Sequence, residues 1–197
     1  MFIVLYGINN LGKSTQAKLL TERMNAAGYP TEYIKYPIYD LVPSGPLINA
    51  YLRKGNPHEL TPREIQILQV LNRTQYEYIL QQKLDQGIHI VAEDYVGTGI
   101  CWGMGAGVSE EFLKEANKHL AQEDISFLFQ GTRFTEATEQ GHKHETDDTL
   151  MEAVRLAHEK LGDEYGWIRI NANDSIEHIN NILWDTIHAQ LTSTTNT

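Results

Sequence analysis

The chain has 197 residues, a formal net charge of −10, 41% hydrophobic and 21% charged residues, and one cysteine, Cys101. This length suits one domain with its own core, and the acidic balance argues against a nucleic-acid footprint. A lone cysteine excludes an intrachain disulfide and Cys-rich zinc sites and fits a reducing, cytoplasmic compartment, while no apolar run approaches the roughly 20 residues of a membrane span or reads as a signal peptide.

Along the chain, short apolar runs alternate with helical patterns. Phe2 to Tyr6 reads as a buried strand. Lys13 to Ala27 reads as a helix, with Leu19, Leu20, Met24 and Ala27 at helical spacing and Gly28 as its stop. Tyr33 to Tyr36 is a second strand ended by Pro37. Thr61, Pro62 and Glu64 supply an N-cap, a first-turn proline and a capping box for a long helix to about Leu84. Ile88 to Ala92 is a third strand, and the segment after it, with glycines at 97, 99, 103, 105 and 107, reads as a mobile or closely approached backbone. Ser109 opens a helix carrying Phe112, Ala116 and Leu120; Ser126 to Phe129 is a fourth strand. Thr149 to Leu161 is helical, Trp167 to Ile170 is a fifth strand, and Asp174 caps a last helix with Ile176, Ile179, Leu183 and Ile187 on one face. The tail 192–197 is polar and expected to fray. Strands separated by helices predict a parallel sheet covered on both faces, with ligands beyond the carboxyl ends of the strands.

The most specific motif lies after the first strand. Gly7-Ile8-Asn9-Asn10-Leu11-Gly12-Lys13-Ser14 matches G-x-x-x-x-G-K-[ST], the P-loop pattern, between a strand and a helix as that motif requires. Its successive N–H groups and the helix N-terminus make an anion site. Lys13 is placed for β- and γ-phosphates, the Ser14 hydroxyl for Mg²⁺, and Thr15 for the α-phosphate. Ile88 to Glu93 is a fair Walker B strand, interrupted by His89, and Glu93 is the candidate acid for Mg²⁺. As a bland alternative, Glu93 simply caps the next turn.

In their order these motifs resemble the thymidylate kinase family, over most of the chain. "GINNLGKSTQ" from Gly7 resembles its P-loop, Tyr36-Pro37 its Phe-Pro motif, and Asn72-Arg73 a pair in its long third helix. Glu93-Asp94-Tyr95, with Thr98 and Trp102, stands where that family has Asp-Arg-Tyr, a Ser and an aromatic. Residues 131–148, with Gly141 to Glu145, take the place of its LID, and "NANDSIEHI" from Asn171 that of the turn near the ATP adenine, with Ala172 and Asn173 as contacts. The resemblance implies a three-layer α/β P-loop kinase fold with a five-stranded parallel sheet. It also implies transfer of phosphate from ATP, with Mg²⁺, to dTMP, and a homodimer.

On the acceptor side it implies Asn9, Tyr36, Pro37, Tyr39, Gln69, Arg73, Asp94, Tyr95, Thr98 and Trp102. The departures fall mostly there. Asn9 replaces an acid that contacts the acceptor sugar, Tyr39 an arginine that holds the acceptor phosphate, Asp94 the arginine of Asp-Arg-Tyr, and Gln69 a phenylalanine that stacks on thymine. The LID has no arginine between Phe134 and Glu145, which leaves Lys143 and Arg133 as candidate catalytic cations. Arg73 either points into the acceptor pocket or pairs with Glu77 at i+4 on a solvated face. Tyr95 and Trp102 are as well read as core packing as pocket walls. Two alternatives stay open: a P-loop kinase for another deoxynucleoside or deoxynucleoside monophosphate, and a non-catalytic nucleotide-binding module.

Overall fold

The structure, a computed structural model, describes residues 1–134 and 148–194. Five strands form one parallel sheet: β1 (Phe2–Tyr6), β2 (Thr31–Lys35), β3 (His89–Glu93), β4 (Ile125–Gln130) and β5 (Ile168–Asn171), in the order β2-β3-β1-β4-β5. Among the described residues seven helices cover it: α1 (Lys13–Ala26), α2 (Ser44–Arg53), α3 (Pro62–Asp85), α4 (Val96–Gly105), α5 (Glu110–Asn117), α6 (Asp148–Tyr165) and α7 (Ile176–Thr194). The strand β1 is central, and all five of its residues are buried. That is why it reads as an unbroken apolar run: a parallel strand with helices on both faces has no polar side.

The expected strands and the P-loop helix are all present. The capping box of α3 is formed, Thr61 Oγ1 accepting from the Glu64 N–H and Glu64 accepting from the Thr61 N–H.

Three local expectations change. The glycine-rich stretch is helix α4, wedged between α3, α5 and α6. Its glycines serve close packing: a Cβ on Gly97 would lie 2.6 Å from the Trp167 ring, and one on Gly99 would collide with the Arg73 guanidinium. The N-cap of α7 is Ser175, whose Oγ accepts from the His178 N–H, while Asp174 accepts from Asn171 Nδ2. On that helix Ile179, Leu183 and Ile187 are buried but Ile176 is exposed.

Helix α2 was not visible in the sequence pattern. It starts with Ser44-Gly45-Pro46, and proline is tolerated in a first turn, where its missing N–H would have no intrahelical acceptor. Ile48, Tyr51 and Leu52 of α2 meet Ile65 of α3 in a small cluster separate from the main core. Residues 135–147 of the expected LID and 195–197 of the expected frayed tail lie outside the described residues.

Candidate active site

The P-loop runs from β1 into α1, beyond the carboxyl ends of the strands. Gly7 has φ 137° and a Cβ there would meet the Phe129 carbonyl oxygen at 2.7 Å, so only glycine fits. Asn10 and Gly12 also adopt positive φ, which curls the backbone round. Gly12 offers no side-chain cap to α1, which leaves its first N–H groups to be satisfied by an anion. Lys13, buried at the first position of α1, donates from Nζ to the carbonyls of Gly7 and Ile8, both at 2.8 Å. The lysine thereby braces the loop that it serves.

Across from the P-loop, at the end of β3, lies a dense charge cluster. Ser14 Oγ donates to Glu93 Oε1 at 2.7 Å. The same oxygen is 2.9 Å from Lys35 Nζ, and the Tyr33 hydroxyl donates to Glu93 Oε2 at 2.5 Å. Parallel pairing explains this convergence, because Lys35 stands opposite Glu93 in the β2–β3 register and Tyr33 shares its face of the strand. Burial alone would raise the Glu93 pKa, but Lys35, Lys13 and the Tyr33 hydrogen bond outweigh it and hold the carboxyl below its ordinary value. The Lys35 pKa moves the other way, upward, its own burial being outweighed by Glu93. Asp94 behaves oppositely: burial and the neighbouring Glu93 charge push its pKa up, against the pull of Lys13 at 3.6 Å. Its backbone takes φ 63°, and Thr98 Oγ1 donates to its Oδ1 at 2.9 Å.

Of these groups Lys13, Ser14, Lys35, Glu93 and Asp94 line one cavity of about 320 Å³. It brings together Asn9 to Thr15, Tyr36, Pro37, Tyr39, Gln69, Glu93, Asp94 and Trp102. Arg73, Tyr95 and Thr98 do not line it. Arg73 is only 2% exposed; its Nη1 donates to Asn117 Oδ1 at 2.8 Å and its Nε has no hydrogen-bond partner among the described residues. The i+4 pairing with Glu77 is not made: Glu77 accepts from the Ala121 N–H and the Tyr95 hydroxyl. Tyr95 packs in the core against Phe2 and Tyr36. Next to Arg73, Asn72 holds the loop after β2, accepting from the Ile38 N–H and donating to the Ile38 carbonyl and Ser44 Oγ. That loop carries Tyr39.

On the donor side, Asn173 Oδ1 accepts from the Thr132 N–H at 2.7 Å and its Nδ2 donates to the Thr132 carbonyl, while the Ala172 N–H donates to Gln130. These bonds tie the exits of β4 and β5 together. Arg133 lies next to Phe134, whose N–H donates to the Asn10 carbonyl of the P-loop, and Arg133 Nε is buried with no hydrogen-bond partner among the described residues. Lys143 lies outside the described residues. A larger cavity, about 530 Å³, opens at the other end of the sheet near Ile125 and Ile168. It lacks a phosphate cradle, so convergent chemistry rather than volume picks the site.

Sequence reasoning missed Lys35, Tyr33 and Gln66. The first two had a usable signal, since Tyr33 and Lys35 alternate on one face of a strand that ends beside Glu93. The hydroxyl of Ser14 and the carboxylates of Glu93 and Asp94 are hard oxygen donors, a set that suits Mg²⁺. Among the described residues no cluster of three or more His, Cys, Asp or Glu forms a separate metal site, and no helix is long and apolar enough to cross a membrane.

Comparison with known proteins gives a consistent result. A family model described as thymidylate kinase matches residues 5–182. The chain is 28% identical over 186 residues to a thymidylate kinase of Dictyostelium discoideum, spanning 92% of this chain and 82% of that one. It is 28% identical over 183 residues to the thymidylate kinase of Homo sapiens, with 90% and 84% spanned. The solved structure of thymidylate kinase from Candida albicans matches with a TM-score of 0.80 at 21% identity, covering 96% of this chain and 91% of that one, a likeness of fold.

Proposed function

The chain belongs to the thymidylate kinase family, and from that premise we propose that it transfers the γ-phosphoryl group of ATP to dTMP, giving dTDP. The observation that carries the reading is the P-loop with Lys13 and Ser14 facing Glu93 across the cavity that also holds the acceptor-side residues Tyr39, Gln69 and Trp102. Such transfer needs position and charge more than covalent help from the protein. The P-loop N–H groups and Lys13 hold the triphosphate. Ser14 and Glu93 would hold Mg²⁺, which neutralises phosphate charge when bound. Asn9 reaches the acceptor sugar, and Trp102 and Gln69 flank the base. Arg73, reoriented from its bond to Asn117, reads the base edge. Ala172 and Asn173 face the adenine. Arg133, or Lys143 beyond the described residues, supplies the cation to the transferring phosphoryl, in one kinase domain acting in the cytoplasm.

The pairing is with a second copy of the chain. Ile67, Leu71 and Tyr78 lie along one exposed side of α3, an apolar stripe of the kind that association covers.

One observation favours a second acceptor class. Asp94 places a second carboxylate beside the transfer point, which favours an uncharged deoxynucleoside over a monophosphate. A single panel separates the two: ATP consumption with dTMP, dUMP, dCMP, dGMP and thymidine. The expected order has dTMP highest in kcat/KM. Thymidine outrunning dTMP, or a purine nucleotide winning, overturns the thymidylate reading and leaves a P-loop kinase of other specificity. ATP binding with no turnover on any acceptor leaves a non-catalytic nucleotide-binding module.

A further inference from the structure

The cavity must bring two anions together, the triphosphate of ATP and, on the reading above, the phosphate of a nucleoside monophosphate. Among the described residues that line it, the lysine and arginine side chains are Lys13, Lys35 and Arg53. Lys13 sits under the P-loop, and Lys35 is ion-paired with Glu93. Between those two lysines stand the carboxylates of Glu93 and Asp94, which repel a monophosphate unless positive charge faces them from the other wall.

Arg53 lines the same cavity from α2. It ends α2, directly after Tyr51 and Leu52, whose buried side chains fix the last turn against Ile65 of α3. Its guanidinium carbon lies 4.6 Å from the centre of the Tyr39 ring, over the ring, and Nη1 donates to Asn49 Oδ1 at 3.3 Å. Stacking engages the face of a guanidinium, whereas oxyanions are bound along its edge, so a ring platform can orient the fork that grips a phosphate. Tyr39 also lines the cavity and is itself held: a Cβ on Gly45 would collide with the Tyr39 carbonyl oxygen, and Asn72 clamps the adjoining Ile38 at both its N–H and its carbonyl.

We propose that Arg53, stacked on Tyr39, binds the phosphate of the acceptor nucleotide and selects a 5′-monophosphate over the uncharged nucleoside. The inference rests on the kinase reading of the same cavity.

The test uses the full chain as wild type, Arg53→Ala and Arg53→Lys. Steady-state rates are measured with dTMP varied at saturating ATP and with ATP varied at saturating dTMP. Calorimetry measures dTMP binding without ATP, and thymidine serves as the phosphate-free control. Loss of a charge-assisted phosphate contact should raise the KM for dTMP about tenfold to a hundredfold in Arg53→Ala. The dTMP affinity should fall in parallel and the KM for ATP should stay within about twofold. Arg53→Lys should restore part of the loss, and thymidine binding should not change. An Arg53→Ala enzyme with wild-type KM and affinity for dTMP overturns the inference and leaves the kinase reading standing. Equal weakening toward dTMP, thymidine and ATP together with a lower Tm overturns it too, because Arg53 then only supports α2. A wild type that binds ATP but never phosphorylates dTMP fails the kinase reading by itself, and the inference falls with it.

Discussion

Lys13 and His158 show how differently a buried basic side chain can be used. Lys13 is fixed by two backbone carbonyls and stands 3.6 Å from Asp94. Lys13→Ala should leave the circular dichroism spectrum intact and lower the phosphotransfer rate on the order of 10²–10³, the usual loss for one preorganised donor. His158 is fully inside α6, with Nδ1 2.9 Å from the Val154 carbonyl oxygen. A carbonyl only accepts, so Nδ1 carries the proton, and Nε2 has no hydrogen-bond partner among the described residues. Burial, helped by the charge of Lys13 and opposed by the Val154 bond, lowers its pKa to about 4. The unfolded chain therefore binds this proton first as pH falls. The resulting stability is fully present above about pH 6.5 and is lost toward about pH 4. Between pH 7.5 and 5.5 this group should cost about 1.4 kcal/mol. Urea denaturation at the two pH values should show that much less pH dependence in His158→Leu than in wild type. At this scale the sequence was legible where backbone chemistry dictates the residue. The glycines and lysine of the P-loop have few other reasons to fall at that spacing between a strand and a helix. Arg73 was legible only as to its helix face. Whether it opens into the cavity or lies against Asn117 is decided by Gly99 on another helix, which no local pattern announces.

The elements differ in what holds them in place. Helix α3 begins with chemistry that belongs to its own first turn, and its start was readable for that reason. Thr61→Ala removes the hydroxyl that accepts from the Glu64 N–H, leaves the backbone N–H that donates to Glu64, and should lower stability by about 1 kcal/mol in chemical denaturation. Helix α4 is the reverse case. Its glycines argue against a helix by propensity, and the tertiary fit overrides them because any side chain there would displace Trp167, Arg73, Leu113 or Val154. Gly99→Ala would improve local helix propensity by up to about 1 kcal/mol. It should nonetheless destabilise the protein by about 1–3 kcal/mol, since the added methyl drives the Arg73 guanidinium off its site. A more stable Gly99→Ala variant would mean that Arg73 has a second comfortable position. Strand β2 carried a missed part of the site for a related reason. Tyr33 and Lys35 look like ordinary alternation until the parallel register sets Lys35 opposite Glu93.

For the whole molecule, the exposed apolar stripe on α3 predicts association. Leu71→Glu, placed in the middle of Ile67, Leu71 and Tyr78, should change the mass seen by light scattering from two chains to one. Unchanged mass would place the contact elsewhere. The fold class was legible because strand and helix signals alternate along the whole chain, whereas the order β2-β3-β1-β4-β5 depends on crossovers that local patterns do not specify. The division between the main core and the small cluster of Ile48, Tyr51, Leu52 and Ile65 has a dynamic consequence. The donor lysine follows a central strand buried on both faces, while Arg53 and Tyr39 depend on a four-residue cluster that can open while the sheet stays closed. In native-state amide hydrogen exchange, α2 should therefore exchange through a low-energy opening and β1 only through global unfolding. A nucleoside monophosphate should slow exchange in α2 far more than in β1. Equal protection of the two would show that the halves of the cavity open as one.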